Sequence, residues 1–275
     1  DVSGGLDHTN GTVTFIDDAA DSTHALTPAA ADMGAGTFDI LAGSGDTVNV
    51  AGAWNAANTG NITVPSGTTW NFQNDVDFTN MGTLTVTSGT LSFAGTGGTG
   101  ALDIADATFT LTTSTVIFDS TNTGADLDIT APAGSLGTTT LTAVNNQVTF
   151  GNDAVLGDVT SSGASNHLWD AALTASSIDH DGAGNFTVTD EATVTGNIDV
   201  DGGDFTIGDG TGSTFSGTSL SFINAGNVTI GNCTIDTAGT CTVQLDAADD
   251  FGGTITTGAG PTVVDIDSTG TVDDL

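Results

Sequence analysis

The sequence contains no lysine, no arginine and no tyrosine among its 275 residues. A chain of this length ordinarily carries roughly 30 lysine and arginine residues. With 34 acidic residues, the formal net charge is −34. Such a polyanion repels DNA, RNA and anionic lipid, so we expect no nucleic-acid partner and no membrane insertion. The expected partners are cations, or further copies of the chain once cations screen the charge.

Residues that favour helices are scarce as well. Glu191 is the only glutamate, and aspartate, threonine, glycine, serine and asparagine fill the positions between apolar residues. This composition favours strands and turns. No more than three apolar residues follow one another, which predicts neither a transmembrane helix nor a signal-peptide core. We therefore expect the mature form of an exported protein, beginning at Asp1, that is extracellular or on the cell surface.

Apolar and polar residues do alternate along the sequence. This repeat of two residues is the period of a half-buried strand. The alternation comes in pairs of short strands. Residues 83–94 overlay residues 101–112 with a shift of 18, and residues 197–208 form a third copy. The repetition of like positions predicts an all-β fold, a parallel β-solenoid with short two-strand repeats. An antiparallel β-sandwich, in which the pairs are hairpins, is the alternative.

The first 60 residues are less regular than the rest of the chain. They include an alanine-rich stretch and the first tryptophan, Trp54. Because the ends of a solenoid need covering, residues 1–60 are predicted to form an N-terminal cap or docking segment. Residues 61–275 then form the repetitive β-strand body. One irregular set of coils is the alternative.

Cys233 and Cys241 are the only cysteines, and both are in phase with apolar neighbours, Ile235 and Val243. A turn over residues 236–239 would bring their strands together, and export favours oxidation. We therefore predict a disulfide between the two cysteines. The alternative is a pair of small buried thiols that fill the core.

Two D-x-D-G segments, at residues 179–182 and 199–202, carry oxygen ligands at alternate positions. The candidate ligands are Asp179, Asp181, Asp199 and Asp201. This spacing occurs at the start of many calcium-binding loops. Ca²⁺ is the one cofactor that the sequence indicates. Neither segment is followed by the glutamate that completes an EF-hand. Diffuse cation binding, or aspartates that simply point to solvent, are the alternatives.

Five N-x-[ST] sequons are candidates for glycosylation in an exported protein. They lie at Asn10, Asn61, Asn185, Asn227 and Asn232. In a chain rich in asparagine and threonine, several such sequons also arise by chance.

The histidines and tryptophans give weaker signals. None of the four histidines has a second histidine or a cysteine at metal-ligand spacing, which predicts solvent or loop positions for them. Trp54, Trp70 and Trp169 could form a sugar-stacking platform. However, Trp70 is in phase with Phe72, and packing roles are favoured for Trp70 and Trp169.

No group of residues indicates catalysis. The sequence has no G-x-S-x-G, H-E-x-x-H or phosphate-loop motif. The adjacent acids Asp17–Asp18 and Asp249–Asp250 lack a supporting motif, and neighbours along a strand face opposite ways. We therefore expect a protein that is not an enzyme.

Two runs, residues 82–95 and 184–210, resemble the repeat regions of bacterial surface β-solenoids, namely autotransporter passengers and filamentous-haemagglutinin-like adhesins. The resemblance implies a right-handed parallel β-helix on the cell surface, used for adhesion or matrix building. Polysaccharide lyases with this fold usually bind and deprotonate uronates with arginine or lysine. Because this chain has neither residue, the resemblance supplies the fold and the location but no binding residue.

The leading hypothesis is a self-assembling structural subunit of an extracellular filament, sheath or surface layer. Strand repeats leave open ends for the next copy, and a chain without lysine or arginine has no trypsin-type cleavage site. A donated terminal strand could make the contact. The candidate segments run from Val13 to Phe15 and from Val263 to Leu275. The alternative is a cell-surface adhesin or glycan-binding module with exposed aromatic side chains.

Overall fold

The chain is a parallel β-solenoid in the computed structural model. The structure describes residues 12–16, 23–26, 37–41, 45–54, 61–94, 101–104, 108–112, 114–120, 127–130, 136–143, 148–164, 166–208, 212–223, 225–237, 240–245, 255–257 and 263–268. All strand pairings among these residues are parallel, so the predicted solenoid is confirmed and the antiparallel sandwich is wrong. They contain no helix, and hence none that could cross a membrane.

The chain divides into two compact units. The N-terminal unit comprises Asp1–Thr140 and Val144–Val148, and the C-terminal unit comprises Leu141–Ala143 and Thr149–Leu275. In each unit, the described coils contribute strands to three faces.

The N-terminal unit has five described strands on its first face, five on its second and three on its third. The first face contains β1 (Thr12–Ile16), β3 (Thr37–Leu41), β5 (Asn61–Val64), β8 (Thr83–Thr87) and β11 (Thr108–Thr112). The second contains β2 (Thr23–Leu26), β4 (Thr47–Val50), β6 (Thr69–Phe72), β9 (Thr90–Phe93) and β12 (Thr115–Ser120). The third contains β7 (Val76–Asp77), β10 (Ala101–Asp103) and β13 (Leu127–Thr130). The boundary with the other unit falls within β14 (Thr138–Ala143) and β15 (Val148–Phe150).

The C-terminal unit repeats the three-faced arrangement, with shorter strands on its first face. Its first face contains β16 (Ala154–Val155), β19 (Leu173–Ala175), β22 (Ala192–Val194), β25 (Ser213–Phe215), β28 (Cys233–Ile235) and β30 (Ile255–Thr257). Its second contains β17 (Asp158–Gly163), β20 (Ser177–His180), β23 (Ile198–Val200), β26 (Ser219–Ser221), β29 (Thr240–Leu245) and β31 (Val263–Ser268). Its third contains β18 (His167–Trp169), β21 (Phe186–Val188), β24 (Phe205–Ile207) and β27 (Val228–Ile230).

The register differs from the one that the sequence repeat suggested. Leu84 lies beside Phe109, 25 residues further along, whereas a shift of 18 would have placed it beside Leu102. Leu102 instead lies beside Val76, on another face. The shift of 18 therefore compares strands of different faces, and the two-strand repeat is part of a three-strand coil.

The strands within the first 60 residues already belong to these faces. β3 pairs with β5, and β4 pairs with β6, in parallel register. A role for residues 1–60 as a cap or docking segment stays a prediction.

The core consists of inward side chains that stack on the same position of the next coil. In the N-terminal unit, Phe72 stacks on Phe93 with ring centroids 5.4 Å apart, and Phe93 stacks on Phe118 at 5.5 Å. In the C-terminal unit, Phe186 stacks on Phe205 at 5.2 Å. All of these rings are buried. Since apolar burial is the main stabilising term, these columns hold the coils together.

Candidate functional site

The four candidate calcium ligands lie on one exposed patch. Asp179 is in β20 and Asp199 is in β23, and the two are direct neighbours in the parallel register. Asp181 and Asp201 immediately follow these strands and are also exposed. Partial burial raises the pKa of Asp179, and the charges of the three other carboxylates raise it further. The structure therefore brings together residues that the sequence grouped only by motif.

The patch is open rather than a closed cage. Neighbouring strands lie about 4.8 Å apart, and calcium–oxygen distances are about 2.3–2.6 Å, so one ion can bridge carboxylates on two strands. In the part of the chain that the structure describes, no three His, Cys, Asp or Glu side chains are arranged to hold a metal ion. Calcium binding by these aspartates stays a prediction.

The glycines of the two D-x-D-G segments have a packing role. A Cβ atom on Gly202 would collide with the carbonyl oxygen of Gly182, one coil earlier. A Cβ atom on Gly203, the residue after the second segment, where φ is +61°, would collide with the carbonyl oxygen of Gly184. Close stacking of turns therefore requires glycine here without any bound ion.

The two cysteines lie in consecutive strands on different faces. Cys233 is beside Ser213 and Ile255, whereas Cys241 is beside Val264, so β28 and β29 do not pair with each other. Both thiols are buried and free. Burial raises the pKa of Cys233 to about 11, with a smaller contribution from Cys241, and burial also raises the pKa of Cys241. The disulfide stays a prediction for the oxidised chain.

Burial and raised pKa values make both thiols unreactive in the folded protein, because the thiolate is the nucleophile. We expect reduced protein at pH 8 to react with a thiol reagent such as DTNB only after unfolding in guanidinium chloride. Mass spectrometry of the quenched samples counts the modified cysteines, and Cys233→Ala serves as the single-thiol control. Rapid modification of the folded chain would contradict this prediction.

Three of the described sequon asparagines use their side-chain amides to link successive coils. The Asn61 side-chain oxygen accepts a hydrogen bond from the Thr83 backbone N–H at 2.7 Å. The Asn185 oxygen accepts one from the Asp204 N–H, and the Asn227 Nδ2 donates to an Asp204 oxygen at 3.1 Å. Asn227 and Asn232 are exposed, whereas Asn61 and Asn185 are half-buried. Asn10 lies outside the described residues, and glycosylation at all five stays a prediction.

All three tryptophans are buried in the core. Trp54, Trp70 and Trp169 are at most 1% exposed, and Trp169 stacks on Phe150 with ring centroids 5.2 Å apart. The packing interpretation is confirmed, and these side chains do not form a sugar-stacking platform.

Two histidines contradict their predicted solvent or loop positions. His167 in β18 and His180 in β20 are both buried, with perpendicular rings whose centroids are 6.1 Å apart. The missed signal was the strand alternation itself, because His167 is in phase with Trp169 and His180 with Ile178. His8 and the side chain of His24 lie outside the described part of the chain.

The His180 ring is held as a neutral imidazole. Its Nε2 lies 2.9 Å from the Gly184 carbonyl oxygen, and its Nδ1 lies 2.8 Å from the Ser161 hydroxyl. Since a carbonyl oxygen only accepts, Nε2–H donates to Gly184. In the neutral ring, which the lowered pKa favours, Nδ1 then accepts from the Ser161 hydroxyl. Burial lowers the pKa of His180, opposed by the Gly184 bond and by the Asp181 charge. Ser161 is also buried, so this pair is sealed from solvent.

The His167 ring lacks the hydrogen bonds that hold His180. Neither ring nitrogen makes a hydrogen bond of good geometry. Burial lowers its pKa to about 4, the charge of His180 adds to this, and the nearby Ser162 backbone opposes it. A buried imidazole without partners strongly resists protonation.

The fold defines the class of this protein as an all-β parallel solenoid. No protein-family model matches the sequence, and no match was found among curated proteins or solved structures.

Proposed function

We propose that this protein is a self-assembling structural subunit of an extracellular filament, sheath or surface layer. The observation that carries the proposal is a set of parallel sheets that end in strands with one open edge. Among the described residues, β1, β2, β30 and β31 each pair on one side only, and β7, β11, β16 and β27 are likewise the end strands of their sheets. Open strand edges are templates for pairing with another chain, and a head-to-tail contact that does not close produces a polymer.

The terminal strands already have partners within the chain. Val13 and Phe15 lie in β1, which pairs with β3, and Val263 lies in β31, which pairs with β29. Leu275 is outside the described residues. Stacking through the outer edges of these strands therefore keeps every intrachain pairing, whereas donation of a strand would break one. We propose edge stacking as the form of contact.

The charge sets the conditions for assembly. Two copies with a formal charge of −34 repel each other, and the screening length falls to about 8 Å at physiological ionic strength. A divalent cation that bridges exposed aspartates adds to this screening. Assembly should therefore increase with salt, and more steeply with calcium at equal ionic strength.

Sedimentation velocity over a range of concentrations tests the proposal. We expect monomer at low salt and large assemblies at 0.15 M salt, promoted by calcium. Val264→Pro removes a backbone donor from edge strand β31 and should block assembly, whereas the matched control Val264→Ala should assemble. Circular dichroism confirms that both variants are folded. A chain that stays monomeric at high concentration, with and without calcium, defeats the proposal.

An adhesin or glycan-binding module has less support. Ile223, at 40% exposure, is the one large hydrophobic side chain exposed among the described residues. Glycan recognition through an aromatic platform would need several.

A further inference from the structure

His167 and His180 are both buried in the C-terminal unit, but their rings are held differently. Both nitrogens of His180 have partners, the Ser161 hydroxyl and the Gly184 carbonyl oxygen. His167 is only 1% exposed, and neither of its buried ring nitrogens makes a hydrogen bond of good geometry. A proton added to the His167 ring is therefore a buried charge without a partner, which the folded core strongly disfavours.

The described strands around the His167 ring supply no negative charge to stabilise a proton there. His180 is the one titratable side chain that they direct toward it, with ring centroids 6.1 Å apart, and its charge opposes a charge on His167. The carboxylates on or next to these strands are exposed instead: Asp158, Asp170, Asp179 and Asp181. The other inward residues that β15, β17, β20 and β21 contribute to this unit are uncharged, namely Phe150, Val159, Ser161, Ile178, Phe186 and Val188.

His167 lies at the start of its strand, close to solvent. Asn166 before it is exposed, as is Gly163 at the end of β17, where φ is +99°. Two hydrogen bonds hold this point to the next coil. The His167 N–H donates to the Asn185 carbonyl oxygen at 2.7 Å, and the Asn185 N–H donates to the Asn166 side-chain oxygen at 2.9 Å. The ring can reach water when these bonds open, and coils that do not neighbour this one are not involved.

We propose that His167 is an acid-sensitive switch in the C-terminal unit: a proton on its ring releases β18 from β21 and opens this coil, while distant coils stay folded. The neutral ring fits the closed coil, and the charged ring requires water. Burial lowers the pKa of His167 to about 4, below its ordinary value of 6.5, so the open form takes up the proton first. Opening is therefore favoured as the pH falls from 6.5 to 4. This device goes beyond the structural role and does not depend on assembly.

Hydrogen exchange of the full chain, measured by mass spectrometry at low salt, tests the proposal. After correction for the intrinsic exchange rate, exchange across residues 158–188 should be about 60-fold faster at pH 4.5 than at pH 7, since that is the ratio which the two pKa values give for the opening equilibrium. Residues 61–94 contain no histidine and serve as the reference within the same molecule. Their corrected exchange should not change in parallel.

Two kinds of variant separate titration from packing. His167→Phe should abolish the acid-dependent exchange of residues 158–188, and His167→Leu covers the case in which His167→Phe does not fold. Trp169→Phe alters the next inward residue of β18, so it should speed exchange at both pH values and keep the ratio of about 60 between them. Circular dichroism at pH 7 establishes that each variant is folded.

Three results would overturn the switch. One is the absence of faster exchange at pH 4.5 in residues 158–188 of the unmodified chain. Another is an equal increase in residues 61–94, which would show a general effect of acid on a polyanion. The third is an unchanged pH dependence in the folded His167 variants, which would assign the opening to another group.

Discussion

Phe186→Ala should lower the free energy of unfolding by about 3–5 kcal/mol, the range for loss of a buried phenylalanine. The Phe186 ring is fully buried in the C-terminal unit. Its centroid lies 4.4 Å from that of Trp169 and 5.2 Å from that of Phe205. The ring thus contacts the preceding and the following coil, and alanine would leave a cavity between them. In a solenoid, stability depends on contacts between neighbouring coils, so the loss affects two interfaces.

Guanidinium unfolding followed by tryptophan fluorescence measures this loss, because Trp169 packs directly on Phe186. Thr187→Ala is the matched control, since Thr187 is the next residue in β21 and points outward. The control should change the stability by no more than about 0.5 kcal/mol. Equal effects of the two substitutions would contradict the inward stacking of Phe186.

Lowering the pH from 6.5 to 4 should remove about 3 kcal/mol of stability through His167 alone, at 1.36 kcal/mol per pKa unit. The folded pKa is about 4, below the ordinary value of 6.5, so the unfolded chain takes up the proton first. The contribution is therefore fully present above pH 6.5 and is lost as the pH falls to about 4. The lowered pKa of His180 acts in the same direction.

The carboxyl group of Asp179 acts in the opposite direction. The raised folded pKa of Asp179 means that the folded state binds its proton more readily, so this group favours folding as the pH falls toward its ordinary value of 3.8. His167→Phe isolates the histidine, because His167 lies beside Phe186 and phenylalanine continues that column. We expect the difference in stability between the variant and the unmodified chain to grow as the pH falls. A difference that is constant between pH 7 and 4 would contradict the lowered pKa of His167.

The strands of this protein were predictable because the alternation of apolar and polar residues within each strand indicates which of its side chains are buried. Leu84 and Val86, and then Leu91 and Phe93, alternate with polar residues, and the structure buries all four. The same alternation contains His167 and His180, yet the lack of a metal-ligand partner at suitable spacing led to a prediction of solvent or loop positions. That absence was the misleading signal, and phase along the strand was the informative one.

At the candidate sites, prediction from the sequence was limited in a different way. The D-x-D-G spacing indicated the grouping of Asp179 with Asp181, but the proximity of Asp199 follows from the pairing of β20 with β23. The glycine after each pair suggested a calcium loop, whereas the structure shows that Gly202 also meets a backbone carbonyl of the preceding coil. Contacts that cross from one coil to the next depend on coil length, which no local motif contains.

The amino-acid sequence by itself determined the strand content, the inward and outward positions and the large negative net charge, because these depend on neighbouring residues and on composition. Only the tertiary structure decided which strands stack, since alternation specifies the side of a strand but not its face in the coil. For that reason Leu84 lies beside Phe109 rather than Leu102, and the threonines of β5, β8 and β11 form one surface. The length of chain needed to close each three-strand coil sets that register.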